Sequence, residues 1–284
     1  MAIKTVGVIG AGIMGSGIIQ VCAQSGYETR ALEVNEQLLN KGLDNMKKFL
    51  AKSVEKGKMQ QADVDALLAK VHGTTNIEDF KDCDLVIEAA TENMEIKKKI
   101  FADLDRICPP DAILSTNSSC LSILDIAMVT KRPDKVLGLH FFNPVPIMRL
   151  LELVVTIVTS EETLNVAKEV GKKLGKTVIV AKDAPAYIVN RLLMPHLIEA
   201  IRLYEVDYAT KEDIDNGAKL GLNYPMGPLE LLDFVGIDTA YSICVAMYDE
   251  LKDPKFAPPL LMKKMVIAGL LGRKTGKGFY DYSK

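Results

Sequence analysis

The stretch TVGVIGAGIMG, Thr5–Gly15, decides the fold class. Thr5–Ile9 is β-branched and apolar without alternation, the pattern of a strand buried on both faces. Ile13–Ser25 then takes up a helical pattern. Glu28–Glu33 is a second short strand that ends on a carboxylate. Gly10-x-Gly12-x-x-Gly15 therefore sits at a strand-to-helix turn, with an acid closing the next strand. A glycine-rich turn alone is a weak signal, but this context is that of a dinucleotide-binding fingerprint. Gly10 permits the tight turn, and Gly12 lets the backbone approach a pyrophosphate resting on the helix N-terminus. Gly15 allows close packing, while Ala11, Ile13 and Met14 fill the intervening positions. A ligand-free structural turn is the competing reading. Glu33 can accept from ribose hydroxyls and repels a 2′-phosphate, which favours NAD. Arg30 nearby leaves NADP open.

Working outward, Cys83–Ala89, Ala112–Thr116, Val136–Phe141, Leu151–Val158 and Thr177–Val180 read as further strands. Strands alternating with helices predict an α/β, Rossmann-type, mostly parallel sheet. Asn35–Val71 is too long for one crossover helix. Leu39, Leu43, Met46, Leu50 and Val54 keep helical spacing, Gly57 interrupts it, and Gln61–Lys70 resumes it. This predicts an inserted helical hairpin. After Lys182 the strand signals stop. Asp183 and Pro185 look like a helix entry. Tyr187–Tyr204, Lys211–Leu220, Gly227–Leu251 and Pro259–Leu270 read as helices. The division expected is a dinucleotide-binding domain over 1–182 and an all-α substrate and dimerisation domain over 183–284.

The 284 residues are 48% hydrophobic and 25% charged, which suits a packed core and excludes a disordered chain. Thirty-five basic against 37 acidic residues argue against a nucleic-acid binder. Five scattered cysteines (Cys22, Cys83, Cys108, Cys120, Cys244) with no C-x-x-C form neither a disulfide framework nor a zinc site, so a cytoplasmic setting is expected. His72, His140 and His196 lack metal-ligand spacing, and no metal is expected. No uncharged apolar run is long enough to span a membrane. Lys4 and the apolar run after it loosely imitate a signal peptide, but the glycines there would weaken an inserting helix.

Three other constellations bear on chemistry. His140 ends a strand in Gly138-Leu-His140-Phe-Phe-Asn143-Pro-Val-Pro, where α/β sheets place ligands. Glu152 lies inside the apolar run Leu150–Val155, and a buried carboxylate needs a partner, His140 or Arg149. A carboxylate on one imidazole nitrogen fixes the tautomer and leaves the other as a base. Spacing alone leaves a catalytic and a structural pair equally open. Ser115–Cys120 is a polar run after a strand; Ser118 or Ser119 can line a crevice or cap a helix. Lys48, Lys52 and Lys56 form a basic stripe on the hairpin. It is either a solvated face or a grip for a substrate with several phosphates.

GVIGAGIMGSGI, the Glu92-bearing ATEN, STNSS, GLHFFNPVP, YIVNRLL, YPMGPLELLDFVGID and GRKTGKGFYDY together resemble the short-chain L-3-hydroxyacyl-CoA dehydrogenases. The resemblance runs from Val6 to Tyr282. It implies interconversion of (S)-3-hydroxybutyryl-CoA and acetoacetyl-CoA with NAD(H). It implies that His140 is the acid/base, oriented by Glu152, with Ser119 and Asn190 contacting substrate. NAD contacts fall on the Gly10–Gly15 loop, Glu33, Glu92, Lys97, Ser119, Asn143 and Lys274. Coenzyme A contacts fall on Lys56 with Lys52 beside it, while Phe49 stands where the family usually has Ser. A homodimer through the C-terminal domain is also implied. The alternatives are a β-hydroxyacid dehydrogenase acting on a free acid and a non-catalytic, crystallin-like relative.

Overall fold

The computed structural model describes residues 2–283. These form two compact units, divided between Ala184 and Pro185. The first carries eight strands: β1 (Thr5–Ile9), β2 (Glu28–Leu32), β3 (Val71–Thr74), β4 (Leu85–Glu88), β5 (Ile113–Thr116), β6 (Val136–Phe141), β7 (Leu150–Val155) and β8 (Thr177–Lys182). Their order is β3-β2-β1-β4-β5-β6-β7-β8. Every pairing is parallel except β6 with β7.

Its helices are α1 (Ile13–Gln24), α2 (Glu36–Glu55), α3 (Gln61–Leu68), α4 (Met94–Ile107), α5 (Ile123–Ala127) and α6 (Glu161–Lys173). Residues of β1, β4 and β6 are almost fully buried, which is why those strands read as continuous apolar runs. The inserted helices are α2 and α3. Asn35 caps α2 by accepting from the Leu38 amide, and Leu39, Met46 and Leu50 bury its apolar stripe.

The second unit is helical: α7 (Val189–Glu205), α8 (Lys211–Asn216), α9 (Pro228–Val235), α10 (Ile237–Leu251) and α11 (Leu260–Ile267). Among the described residues no single helix is long and apolar enough to cross a membrane.

Several expectations need correction. β3 follows the helical hairpin directly, where Val71-His-Gly-Thr shows too little apolar character to be read as a strand. β7 stops at Val155, because Thr156 and Thr159 close a turn through their hydroxyls. Gly227–Leu251 is two helices, broken at Gly236, whose φ of 101° a helix cannot hold. Asp183 does not cap the helix that follows it. Its carboxylate accepts the amides of Ile123 and Leu124 at the start of α5, and burial pushes its pKa up in spite of those bonds. Ala186 and Tyr187 take positive φ, so α7 begins at Val189 rather than Tyr187.

Candidate active site

The parallel strands β1, β4, β5 and β6 end along one edge of the sheet, and the polar side chains of interest collect there. At β1 the chain turns at Gly10, with φ of 90°. A Cβ at Gly10 would lie 2.7 Å from the Ala89 carbonyl oxygen, and one at Gly15 would lie 1.7 Å from the Gly10 carbonyl oxygen. Nothing lies within 4 Å of a Cβ placed on Gly12. Two glycines are thus demanded by packing, and the third leaves the backbone open to a visitor.

The start of α1 has neither a capping side chain nor an acidic residue in its first turn. Its first N–H groups and the helix dipole are available to an anion. The Glu33 carboxylate accepts from the Ala11 amide at 2.7 Å and the Val34 amide at 3.1 Å, which ties the end of β2 to the glycine loop. These residues fit a dinucleotide: Gly12 and the first N–H groups of α1 would hold its pyrophosphate, and Glu33 would meet a ribose.

β6 and β7 pair antiparallel with His140 directly opposite Glu152. Facing residues of an antiparallel pair point to the same side of the sheet, so the two side chains meet. His140 Nδ1 lies 2.6 Å from Glu152 Oε2, and the residues are 4% and 0% exposed. An ionised carboxylate only accepts, which assigns the hydrogen to Nδ1 and leaves Nε2 as the basic nitrogen. Nε2 lies 3.2 Å from Ser119 Oγ. The Phe142 ring stands 4.7 Å from the imidazole and covers one side of it.

Ser119 is held in place from below. Glu92 Oε1 accepts from Ser118 Oγ at 2.6 Å, the Ser119 amide at 2.9 Å and the Cys120 amide at 3.1 Å. Ser118 Oγ also accepts from the Leu121 amide, so Ser118 shapes the loop while Ser119 faces the imidazole. The cap of α5 is Ser122. Asn117 accepts from the Phe141 amide and fixes the strand end next to His140.

Lys97, 1% exposed, donates to Glu88 at 2.5 Å and Thr116 at 3.1 Å and lies 3.8 Å from Glu92. Glu88 and Thr116 went unread in the sequence. Glu88 lies in the apolar run LVIEAA, the signal that singled out Glu152, and the same reasoning would have found it.

Ser119, His140, Glu152, Glu92 and Lys97 are therefore brought together. Lys48, Lys52 and Lys56 are exposed along α2 and its C-terminal cap. Asn143 is exposed, at a cis Asn143–Pro144 bond. Asn190, half-buried in the first turn of α7, and Lys274, paired with Asp238, belong to the second unit. Among the described residues no cluster of His, Cys, Asp or Glu could hold a metal ion. A concavity of about 780 Å³ near Tyr27 and Glu169 contains none of these side chains.

Comparison with known proteins agrees over the whole chain. Family models for the 3-hydroxyacyl-CoA dehydrogenase NAD-binding and C-terminal domains match residues 5–184 and 187–282. A probable 3-hydroxybutyryl-CoA dehydrogenase of Bacillus subtilis is 45% identical over 100% of this chain and 99% of its own. A 3-hydroxybutyryl-CoA dehydrogenase of Mycobacterium tuberculosis is 46% identical over 99% of both. The crystal structure of (S)-3-hydroxybutyryl-CoA dehydrogenase PaaH1 from Ralstonia eutropha superposes with a TM-score of 0.96 at 43% identity, covering 100% of both chains.

Proposed function

The chain belongs to the 3-hydroxyacyl-CoA dehydrogenase family, and on that premise we propose that it interconverts (S)-3-hydroxybutyryl-CoA and acetoacetyl-CoA. The observation that carries the reading is the buried His140–Glu152 pair whose basic nitrogen faces Ser119 at the carboxyl edge of the sheet. NAD, when bound, supplies the acceptor for the hydride that leaves C3 of the alcohol.

His140 Nε2 takes the hydroxyl proton as the carbonyl forms, and in reduction the ring returns that proton to the oxygen. Glu152, wholly buried, keeps the tautomer and balances the charge of the protonated ring. Ser119, anchored by Glu92, and Asn190 hold the reacting oxygen and the thioester end. The Gly10–Gly15 loop, Glu33, Glu92, Asn143 and Lys274 hold the dinucleotide, with Lys97 supporting Glu92 from inside. Lys52 and Lys56 meet the coenzyme A phosphates. Glu33 selects NAD over NADP. The second unit exposes Leu192, Val206, Tyr208, Leu220 and Ile267, which supports a homodimer formed through it. Five free cysteines support a cytoplasmic setting.

The test is oxidation of NADH by acetoacetyl-CoA and by free acetoacetate, with NADPH in parallel. Turnover with the coenzyme A ester and NADH alone is expected. Preference for the free acid moves the chain to another class of β-hydroxyacid dehydrogenase. NADH binding without turnover of either marks a non-catalytic relative.

A further inference from the structure

Lys176 is a buried cation with no role in the scheme above. It directly precedes β8 and is 9% exposed. Its ammonium donates to the Val145 carbonyl at 2.5 Å and the Met148 carbonyl at 2.7 Å. Among the described residues it has no carboxylate partner. The titratable group beside it is Cys22, whose thiol burial pushes up to about 12, so it carries no counter-charge at neutral pH. Burying a cation against carbonyl oxygens alone is costly, and burial pushes the lysine's own pKa down. What the cation satisfies is the turn after His140. Ile147 and Met148 both donate to the Pro144 carbonyl, which leaves the Val145 and Met148 carbonyls without a backbone donor in that turn.

The same turn is gripped from a second side. A Cβ on Gly17 of α1 would lie 2.8 Å from Val145 Cβ and 3.3 Å from Pro146 Cδ. The segment joining the strand of His140 to the strand of Glu152 is thus clamped between α1, the helix of the dinucleotide loop, and the Lys176 ammonium. Asn143 stands at the entrance of that segment. At its exit, the Arg149 carbonyl accepts from the Thr177 amide at 2.7 Å.

We infer that Lys176 is a positioning residue for the dehydrogenase reaction, fixing the 144–148 turn so that Asn143 and α1 keep their place relative to His140. The inference deepens the proposed function and rests on it. Lys176→Met keeps the apolar stem and removes the donors, while Lys176→Arg keeps charge and donors. In Lys176→Met the KM for NADH is expected to rise ~10-fold with that for acetoacetyl-CoA nearly unchanged, as for a group that sets one ligand's site. Tryptic cleavage after Arg149 under native conditions, mapped by mass, is expected to quicken ~10-fold as the turn opens locally. Lys176→Arg should restore most of both. A folded Lys176→Met protein with both readouts at the wild-type level overturns the inference, as does one that loses thermal stability with both KM values intact. Should the Met variant not fold, Lys176→Gln is read by the same two measures. Failure of the wild-type enzyme to reduce acetoacetyl-CoA would sink the proposed reaction instead, and the proteolysis would still report on the tether.

Discussion

Exchanging Glu152 for Gln is the sharpest probe of the site, because it alters charge and tautomer and leaves size alone. The carboxylate is wholly buried and meets Nδ1 at 2.6 Å. A hydrogen bond to a charged group contributes about 1.5–3 kcal/mol net, against about 0.5–1.5 for a neutral pair. The difference, roughly 1–1.5 kcal/mol, is about tenfold in rate if it is lost only as the ring becomes charged. A second loss comes from the tautomer. The carboxylate can only accept, whereas an amide can turn its NH₂ toward Nδ1. The ring hydrogen then sits on Nε2, facing Ser119, where it cannot take a proton from an alcohol. Together these predict a fall in kcat of about 10², within the 10²–10⁴ that complete loss of a general base costs. His140→Ala measures that outer limit. The assay is steady-state turnover in both directions beside fluorescence titration with NADH. The NADH Kd should stay within about twofold, since no cofactor contact is removed. Wild-type kcat in the Gln variant would refute the catalytic role. A Kd for NADH that worsens in step with kcat would make the pair structural.

Gly15→Ala forces a methyl to 1.7 Å from the Gly10 carbonyl oxygen, so the loop must shift. At about 1–3 kcal/mol for such overpacking, NADH affinity should fall roughly 5- to 150-fold, and unchanged affinity would remove the loop from the cofactor site. Lys56→Ala should raise KM for acetoacetyl-CoA a few-fold, about what an exposed ion pair of up to ~1 kcal/mol is worth, with the effect fading at high salt. An unchanged KM would leave the stripe a solvated face. Asp233 accepts from the amides of Phe279 and Tyr280 and from the Tyr282 hydroxyl, yet burial holds its carboxyl above the usual range. The folded protein therefore binds this proton more tightly than the unfolded chain. Its contribution to stability is full below the ordinary carboxylate pKa and lost as pH rises through the raised one. Wild type should gain stability relative to Asp233→Asn as pH falls through that window, by chemical denaturation at a series of pH values; a flat difference would contradict it.

Where a local pattern carried the physics, the sequence was legible. β1 and β6 fall on their expected residues, because a strand buried on both faces shows as a mainly apolar run without alternation. The glycine loop was legible because each glycine answers a separate steric demand. What escaped is set by partners distant in sequence. β3 is an edge strand that gets its definition from β2 rather than from its own side chains. Asp183 sits where a cap for the following helix belongs, yet it serves a helix some sixty residues earlier. Ser118 and Ser119 were indistinguishable until Glu92, on another loop, assigned one to the fold and the other to the imidazole.

The antiparallel step in a parallel sheet explains why two residues so near in sequence form the pair. Parallel neighbours need a long crossover, which would draw an acid and a base from distant segments. Reversing the chain between β6 and β7 places His140 and Glu152, twelve residues apart, face to face across one hairpin. Register then becomes the critical variable. A slip of one residue would bring Leu151 or Leu153 opposite the imidazole and send the carboxylate to the other side of the sheet. The turn that joins the two strands is the one that Lys176 and Gly17 contact. A substitution that loosens the turn should therefore show in cofactor placement, whereas a change confined to Glu152 should show in proton transfer alone.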